Sequence, residues 1–375
     1  MKKIYLDNAA TTVIIPEVKK AMMPFFCDIF ANESSSHSMG RDANKYVENA
    51  REIIAKTINS NTNEIYFTSC GSESNSWAIL GIASANNNKG NHIITTKIEH
   101  DSIINACNYL ETKGYKIDYV SVDNKGNINI EELESLIDDK TILISVMMVN
   151  NEVGTIQNIK RIGEIAHKHN IIFHTDAVQG FGMLNIDVKE LNVDLMSVSA
   201  HKIYGPKGIG FLYIKNSIKI DNLIFGGNQE FGKRGGTSNT PAIVGFGEAT
   251  KIAYKNLEKN YTKISILREY FVKELKQNFA GKVIINGNEN SHVPNIVSAS
   301  FIGFDANILL MKLDQKGICV SRGSACTAGS SLPSYVLQAM GLDEYANSTI
   351  RFSLSRYTCK KELDYVIKAL GEILK

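Results

Sequence analysis

Two kinds of segment alternate over the first two-thirds of the chain. Short strand-like runs rich in Ile, Val, Leu, Phe and Tyr stand at 64–68, 92–95, 116–120, 142–147, 171–174, 195–197 and 210–214. Amphipathic stretches with helical spacing lie between several of them, at 73–85, 102–113, 130–136 and 159–169. This alternation predicts βαβ units and a mostly parallel sheet. The pattern changes after Gly236, Thr237 and Ser238. From 241 to about 279 the spacing is helical with no strand inside it. Shorter strand-like runs follow at 283–285, 296–300, 319–321 and 350–353, with helices between and after them, which predicts a second, α+β domain. The run at 4–6 is too isolated to found a sheet and is expected to pack on that second domain. The expected division is a large α/β domain over 16–250 and a small α+β domain made of 1–15 plus 251–375, with the boundary in a helix near 245–260.

Composition narrows the function classes. The chain has 375 residues, with 41 basic and 39 acidic side chains and a net charge of +2. Hydrophobic residues make up 43%, which is ordinary for a globular protein and excludes a disordered or fibrous one. Near-neutral charge leaves no electrostatic footprint for nucleic acid or an anionic membrane. The longest apolar run, 142–149, falls short of the roughly 20 residues needed to cross a bilayer and reads as a buried strand. Asp7 and Asn8 follow Lys2 and Lys3 with no signal-peptide core, so a cytoplasmic protein is expected. The cysteines at 27, 70, 107, 319, 326 and 359 are scattered and form no CxxC pair. Neither a zinc ribbon nor a disulfide framework is indicated, and free thiols are expected.

Four segments carry candidate chemistry. At 197–208 a strand runs into a polar turn holding His201 and Lys202, then a Gly/Pro-rich loop. A desolvated lysine there becomes an amine nucleophile toward an aldehyde; otherwise it is a surface lysine. Asp176 falls at the C-terminal end of a parallel strand, where open α/β sheets bind ligands. A buried carboxylate there needs a cationic partner such as a pyridinium nitrogen, unless it caps the next helix. At 67–75 a strand ends, Gly71 permits a tight turn, and a helix opens at Ser72. The helix N-terminus suits a phosphate, although an ordinary N-cap would read the same. Cys326 lies among small polar residues, unlike a buried structural cysteine, which suits a nucleophile that must travel. Together these groups suggest a pyridoxal-phosphate enzyme.

An ordered set of motifs resembles the NifS/IscS-like cysteine desulfurases of the class-V aminotransferase group. The set runs from Tyr5-Leu-Asp-Asn-Ala-Ala-Thr-Thr12 through Glu99-His100, Val149-Asn-Asn-Glu-Val-Gly154, the Asp176/Gln179 and His201-Lys202 segments, Arg234-Gly-Gly-Thr237, the Cys326 loop and Pro333 to Gly341, to Arg351-Phe-Ser-Leu-Ser-Arg356. It covers nearly the whole chain. The resemblance implies a fold-type I pyridoxal-phosphate-dependent transferase. Its cofactor would sit in a large, mostly parallel seven-stranded sheet domain, and a smaller α+β domain would carry a mobile cysteine loop at about 322–333.

It also implies residue roles. Lys202 resembles the lysine that holds the cofactor covalently, Asp176 the partner of the ring nitrogen, and Gln179 the donor to the ring hydroxyl. His100 resembles the imidazole stacked on the ring, a catalytic position from which it would accept or donate the proton of the sulfur chemistry, and Gly71, Ser72, Ser199 and His201 resemble phosphate contacts. Thr237 matches a contact from the neighbouring subunit, which implies a homodimer. Asn151, on the cofactor side as well, and Arg351 match the pair that binds the substrate carboxylate; Arg suits that task because its planar fork binds bidentately. Cys326 matches the residue that accepts sulfur, and its spacing to Pro333-Ser334 resembles the long-loop subgroup.

The implied reaction removes sulfur from L-cysteine and leaves L-alanine and a persulfide on Cys326. That sulfur passes to an acceptor protein for iron–sulfur cluster assembly or for thiolation of tRNA or a cofactor. No resident metal is expected; at most Cys326 would hold an iron–sulfur cluster transiently with a scaffold. A selenocysteine lyase or another class-V aminotransferase is the nearest alternative, and a non-catalytic scaffold is disfavoured by the retained set.

The chain departs from the pattern in places. Cys70-Gly71-Ser72 stands where Gly-Ala-Thr is commoner, Glu33 where Pro is usual, and Phe231 where Arg is usual. Lys375 follows soon after the last helix, whereas housekeeping IscS-type members carry a longer tail that meets the scaffold, so that partner is left open.

Overall fold

The computed structural model describes residues 3–323 and 333–375, so Cys326 lies outside the described residues. The chain opens with β1 (Ile4–Tyr5) and three helices, α1 (Pro16–Met22), α2 (Pro24–Cys27) and α3 (Ser38–Thr57). Pro16 and Pro24 each stand in a first helical turn, where the missing N–H has no intrahelical partner to lose. There follow β2 (Ile65–Thr68), α4 (Gly71–Ala85), β3 (His92–Thr96), α5 (Asp101–Glu111), β4 (Lys116–Val120), α6 (Ile130–Ser135), β5 (Thr141–Ser145), α7 (Ile159–Lys168), β6 (Ile172–Asp176), β7 (Leu195–Ser199) and β8 (Gly210–Ile214).

Strands β2 to β8 form one seven-stranded sheet in the order β2-β8-β7-β6-β5-β3-β4. Only β8 runs against its neighbours; β7, β6, β5, β3 and β4 are mutually parallel. The mostly parallel α/β sheet read from the sequence is therefore present. Helices cover both faces, and the central strands are apolar because both faces are buried. Ile144, Phe173, Val198 and Phe211 are fully enclosed.

The second part contains α8 (Thr240–Lys255), α9 (Leu257–Asn278), β9 (Val283–Asn286), β10 (Ile296–Phe301), α10 (Ala306–Gln315), β11 (Ile318–Cys319), α11 (Tyr335–Ala339), β12 (Thr349–Ser353) and α12 (Lys360–Ile373). The single helical stretch expected over 241–279 is two helices. The backbone leaves helical geometry at Asn256 (φ −114°, ψ 14°), whose Nδ2 donates to Ile252 O at 2.9 Å. Strands β12-β10-β9 form an antiparallel sheet, and β1 pairs in parallel with β11. One core gathers Ile54, Ile144, Phe173, Val198 and Phe246 with Ala249 and Ala253 of α8. Another gathers Leu6, Phe301, Phe352 and Leu370 with Ile264, Phe271 and Leu275 of α9. No helix among the described residues is long and apolar enough to cross a membrane.

Two features of this architecture bring the site together. The C-terminal ends of β2, β3, β5, β6 and β7 open on one edge of the sheet, where α/β sheets collect ligands. The segment after β1 ties β12 to that edge: Asn8 Nδ2 donates to Ser353 O at 2.8 Å and Ala9 N to Ser353 Oγ at 2.9 Å.

Candidate active site

At the end of β2 the chain turns through Ser69 and Cys70 into α4. Gly71 is packed closely enough that a Cβ would lie 2.9 Å from Val178 Cγ2. The helix thus starts against the chain just beyond β6, and its first N–H groups have no intrahelical partner. Glu73 fastens the turn from outside. It accepts Ser69 N at 2.8 Å and the Arg234 fork at 2.9 and 3.1 Å. Burial works against the Glu73 carboxylate, yet the bonds from Arg234 and Ser69 hold it below the usual range.

At the end of β6, Asp176 is buried. Its Oδ1 accepts Val178 N at 2.9 Å and its Oδ2 accepts Asn75 Nδ2 at 2.6 Å. The Val178 bond closes a turn; no helix lies between β6 and β7, so the helix-capping role weighed in the sequence has no helix to cap. Beneath Asp176 on the same strand, His174 spans Ser145 Oγ and Ser197 Oγ, 2.9 Å from each. Burial drives the His174 pKa down to about 3, so the ring is a neutral strut across β5, β6 and β7.

At the end of β7 stand Ser199, His201 and Lys202. The amine of Lys202 donates to the carbonyls of Ala9 and Ala10 at 2.5 and 2.8 Å. His201 Nδ1 lies 3.1 Å from Thr11 Oγ1, and the His201 carbonyl accepts from Thr12 N and Thr12 Oγ1. Burial first, then the charges of Lys202 and Lys207, lowers the His201 pKa to about 4. Gln179 Nε2 donates to Ala9 O at 3.0 Å. The segment 9–12 is therefore a strap across the Lys202 amine.

From the second part, Arg351 on β12 reaches the same edge. It is 1% exposed, and its fork donates to Asn151 O at 2.8 Å and Asp7 Oδ1 at 3.1 Å. A guanidinium has five N–H donors, so these bonds leave capacity for a second carboxylate.

Gly71, Ser72, His100, Asn151, Asp176, Gln179, Ser199, His201, Lys202 and Arg351 line one cavity. Of the other expected site residues, Thr237 is exposed and absent from the cavity wall. Cys326 lies outside the described residues. Cys70, given no role in the sequence, is part of the wall. Sequence reasoning passed over Asn75, which bonds to Asp176; its place one helical turn beyond Ser72 on α4 was the available signal. It also passed over the strap carbonyls of Ala9 and Ala10, which no side-chain motif announces.

The donor set fits pyridoxal phosphate. Ser199 Oγ, Asn151 Oδ1 and Arg351 Nε are buried polar atoms of this wall with no hydrogen-bond partner among the described residues. Buried polar groups are normally satisfied, so such atoms point to a polar ligand. The start of α4 with Ser72, Ser199 and His201 suits the phosphate, the Lys202 amine the aldehyde, and the Asp176 carboxylate a protonated ring nitrogen. No group of three or more His, Cys, Asp or Glu among the described residues could hold a metal ion.

Comparison with known proteins agrees with this geometry. The Aminotransferase class-V family matches residues 4–366. The cysteine desulfurase IscS of Clostridium botulinum is 48% identical over 377 aligned positions, covering 100% of this chain and 95% of that protein. Among solved structures, a NifS-like protein has a TM-score of 0.94 at 39% identity, with 99% of each chain covered. SspA in complex with cysteine has a TM-score of 0.85 at 37% identity, over 95% of this chain and all of the other. Enzymes of this group depend on pyridoxal phosphate. On this family match, identity and shared fold, the chain belongs to the class-V aminotransferase family, among its NifS/IscS-like cysteine desulfurases.

Proposed function

We propose that the cavity binds pyridoxal phosphate on Lys202 and that the chain takes sulfur from L-cysteine, giving L-alanine and a persulfide on Cys326. The observation that carries this reading is the convergence of Lys202, Asp176, His100 and Arg351, from β7, β6, the start of α5 and β12, on one cavity. Once bound, the cofactor supplies an electron sink for the substrate Cα. Gly71, Ser72, Ser199 and His201 would hold the phosphate, Gln179 would donate to the ring hydroxyl, and Asp176 would keep the ring nitrogen protonated. Asn151 and Arg351 fix the substrate carboxylate, and Lys202 moves the Cα proton. His100 would lie against the ring.

Cys326 acts as the thiolate, although an ordinary thiol ionises only near pH 8.5, so its surroundings must favour the anion. The Cys326 Sγ–S bond forms as the substrate Cβ–S bond breaks. The electron pair returns to the substrate carbon, which takes a proton to become alanine. The persulfide then passes to an acceptor thiol on another protein, serving iron–sulfur cluster assembly or thiolation. The subunits work as a homodimer in which Thr237 meets the partner's phosphate. The cysteines among the described residues are all free thiols, which supports a cytoplasmic setting.

Two variants test the assignment. The protein purified with pyridoxal phosphate is expected to be yellow and to be fixed covalently by borohydride. Lys202→Ala is expected to lose both properties. Cys326→Ala is expected to stay yellow and to form no protein persulfide from labelled cysteine. A wild type that remains colourless when offered the cofactor overturns the reading. Normal persulfide turnover in Cys326→Ala removes that residue from its role. Product analysis with cysteine gives alanine for a desulfurase and a keto acid for an aminotransferase.

A further inference from the structure

His100 caps the N-terminus of α5, and this role fixes more than the helix end. The backbone N–H of Ser102 donates to His100 Nδ1 at 3.1 Å. An amide N–H can only donate, so Nδ1 must present its lone pair. Ser102 Oγ lies 2.8 Å from the same nitrogen. Because Nδ1 is an acceptor, the hydroxyl must give it the proton, and Ser102 Oγ then accepts from elsewhere. The donor is Asn75, whose Nδ2 lies 2.9 Å from Ser102 Oγ. The same Nδ2 donates to Asp176 Oδ2 at 2.6 Å. Turning the amide over would set its oxygen against a carboxylate, so the orientation of Asn75 is determined too.

The bonds therefore run in one direction, from Asn75 outward to Asp176 and through Ser102 to His100. All four side chains are buried or half-buried, and Asn75 is 1% exposed. In low dielectric such a chain of bonds holds its direction because each link polarises the next.

We propose that Asn75 and Ser102 are positioning residues that lock His100 as the neutral tautomer with its proton on Nε2, so that it serves the reaction as a hydrogen-bond donor and not as a base. Acting as a base through Nε2 would require the other tautomer, which loses the bond from Ser102 N–H and reverses the one with the Ser102 hydroxyl. This deepens the desulfurase reading and rests on it for what the donated bond is used for. The tautomer itself follows from the geometry alone.

The test is 15N NMR of the holoenzyme carrying ring-labelled histidine. His100 is assigned by its disappearance in His100→Asn. The expected wild-type signature is an unprotonated Nδ1 and a protonated Nε2. Ser102→Ala and Asn75→Ala are each expected to blur it toward a mixture of tautomers. Ser102→Thr, which keeps the hydroxyl, is expected to restore it. For Ser102→Ala, kcat should fall about fivefold with KM unchanged, the worth of one ordinary hydrogen bond. A wild-type His100 protonated on Nδ1 overturns the proposal without recourse to any variant. Spectra of Ser102→Ala and Asn75→Ala identical to wild type overturn it as well. An intact Nε2–H signature in a protein that makes no alanine from cysteine supports the lock and counts against the functional reading alone.

Discussion

Glu99 immediately precedes His100 and is fully enclosed. Its Oε1 accepts Thr96 Oγ1 at 2.8 Å and Met147 N at 2.9 Å, while its Oε2 has no hydrogen-bond partner among the described residues. Burial, above all, lifts its pKa to about 8, and the charge of Asp176 adds to the lift. The folded chain therefore keeps a proton on Glu99 at neutral pH, whereas an unfolded chain releases it near 4.5. Between those two values the folded state binds more protons, so rising pH costs stability through Glu99. Glu99→Gln removes the charge and retains the shape. Its advantage over wild type should be flat below pH 4.5, grow up to pH 8 and level off above it. The growth is bounded by about 1.4 kcal/mol per pH unit. Urea unfolding at pH 5, 7 and 9 measures the gap, and a gap that does not change with pH rejects a protonated Glu99. At this scale the residues that gather on the cavity were legible because each sits beside a strand end or turn that its neighbours announce. Asp176, Ser199 and Lys202 are of that kind. Asn75 and Ser102 were not legible, because their meaning lies in partners 101 and 2 residues away rather than in a motif.

Among the elements, the strands of the large sheet were readable because burial on both faces makes them apolar throughout, as in β6 and β7. Their order was not. That β3 lies between β5 and β4, and that β8 is reversed, depends on how the connections pack and leaves no local trace. Helices α1 to α3 were missed because the N-terminal stretch lacks the strand-helix alternation that marks the rest. The loop after β8 depends on Arg51 of α3, whose fork holds Glu230 at 2.7 and 3.0 Å across 179 residues of sequence. A comparable anchor stands beside the Cys326 segment. Glu152, buried, accepts Ser334 Oγ at 2.6 Å. On the other side of the segment, a Cβ at Gly323 would lie 2.9 Å from Glu152 Oε2. The residues flanking 324–332 thus meet at one carboxylate. Glu152→Gln is expected to slow persulfide formation about tenfold, the worth of a hydrogen bond to a charged group. Cofactor absorbance should be unchanged. Gly323→Ala should act in the same direction, and a normal rate of persulfide formation in both variants, in single-turnover assays with labelled cysteine, rules out the anchor.

Over the whole molecule, the single chain leaves a set of large apolar side chains in solvent. Met23, Phe26, Phe30, Met39 and Tyr46 come from the N-terminal helices and the turns beside them, and Phe225 and Phe231 from the loop after β8. Where such side chains adjoin in one patch they mark an interaction site. The loop that carries Phe225 and Phe231 also carries Thr237, and Arg234 clamps it to the start of α4 through Glu73. An interface here would set Thr237 toward a second subunit, as the proposed homodimer requires. Mixed dimers separate that arrangement from one in which Thr237 serves its own subunit. Lys202→Ala and Thr237→Ala subunits are co-expressed with different tags, and the hybrid is isolated by both. If Thr237 acts across the interface, the site on the Thr237→Ala subunit keeps its own Lys202 and receives an intact Thr237 from the Lys202→Ala partner. That hybrid should show about half the wild-type alanine production at limiting cofactor, because one complete site remains of two. If Thr237 acts within its own subunit, the Lys202-bearing site is the one that lacks it. Activity then stays at half that of the Thr237→Ala homodimer, and the shared site is rejected.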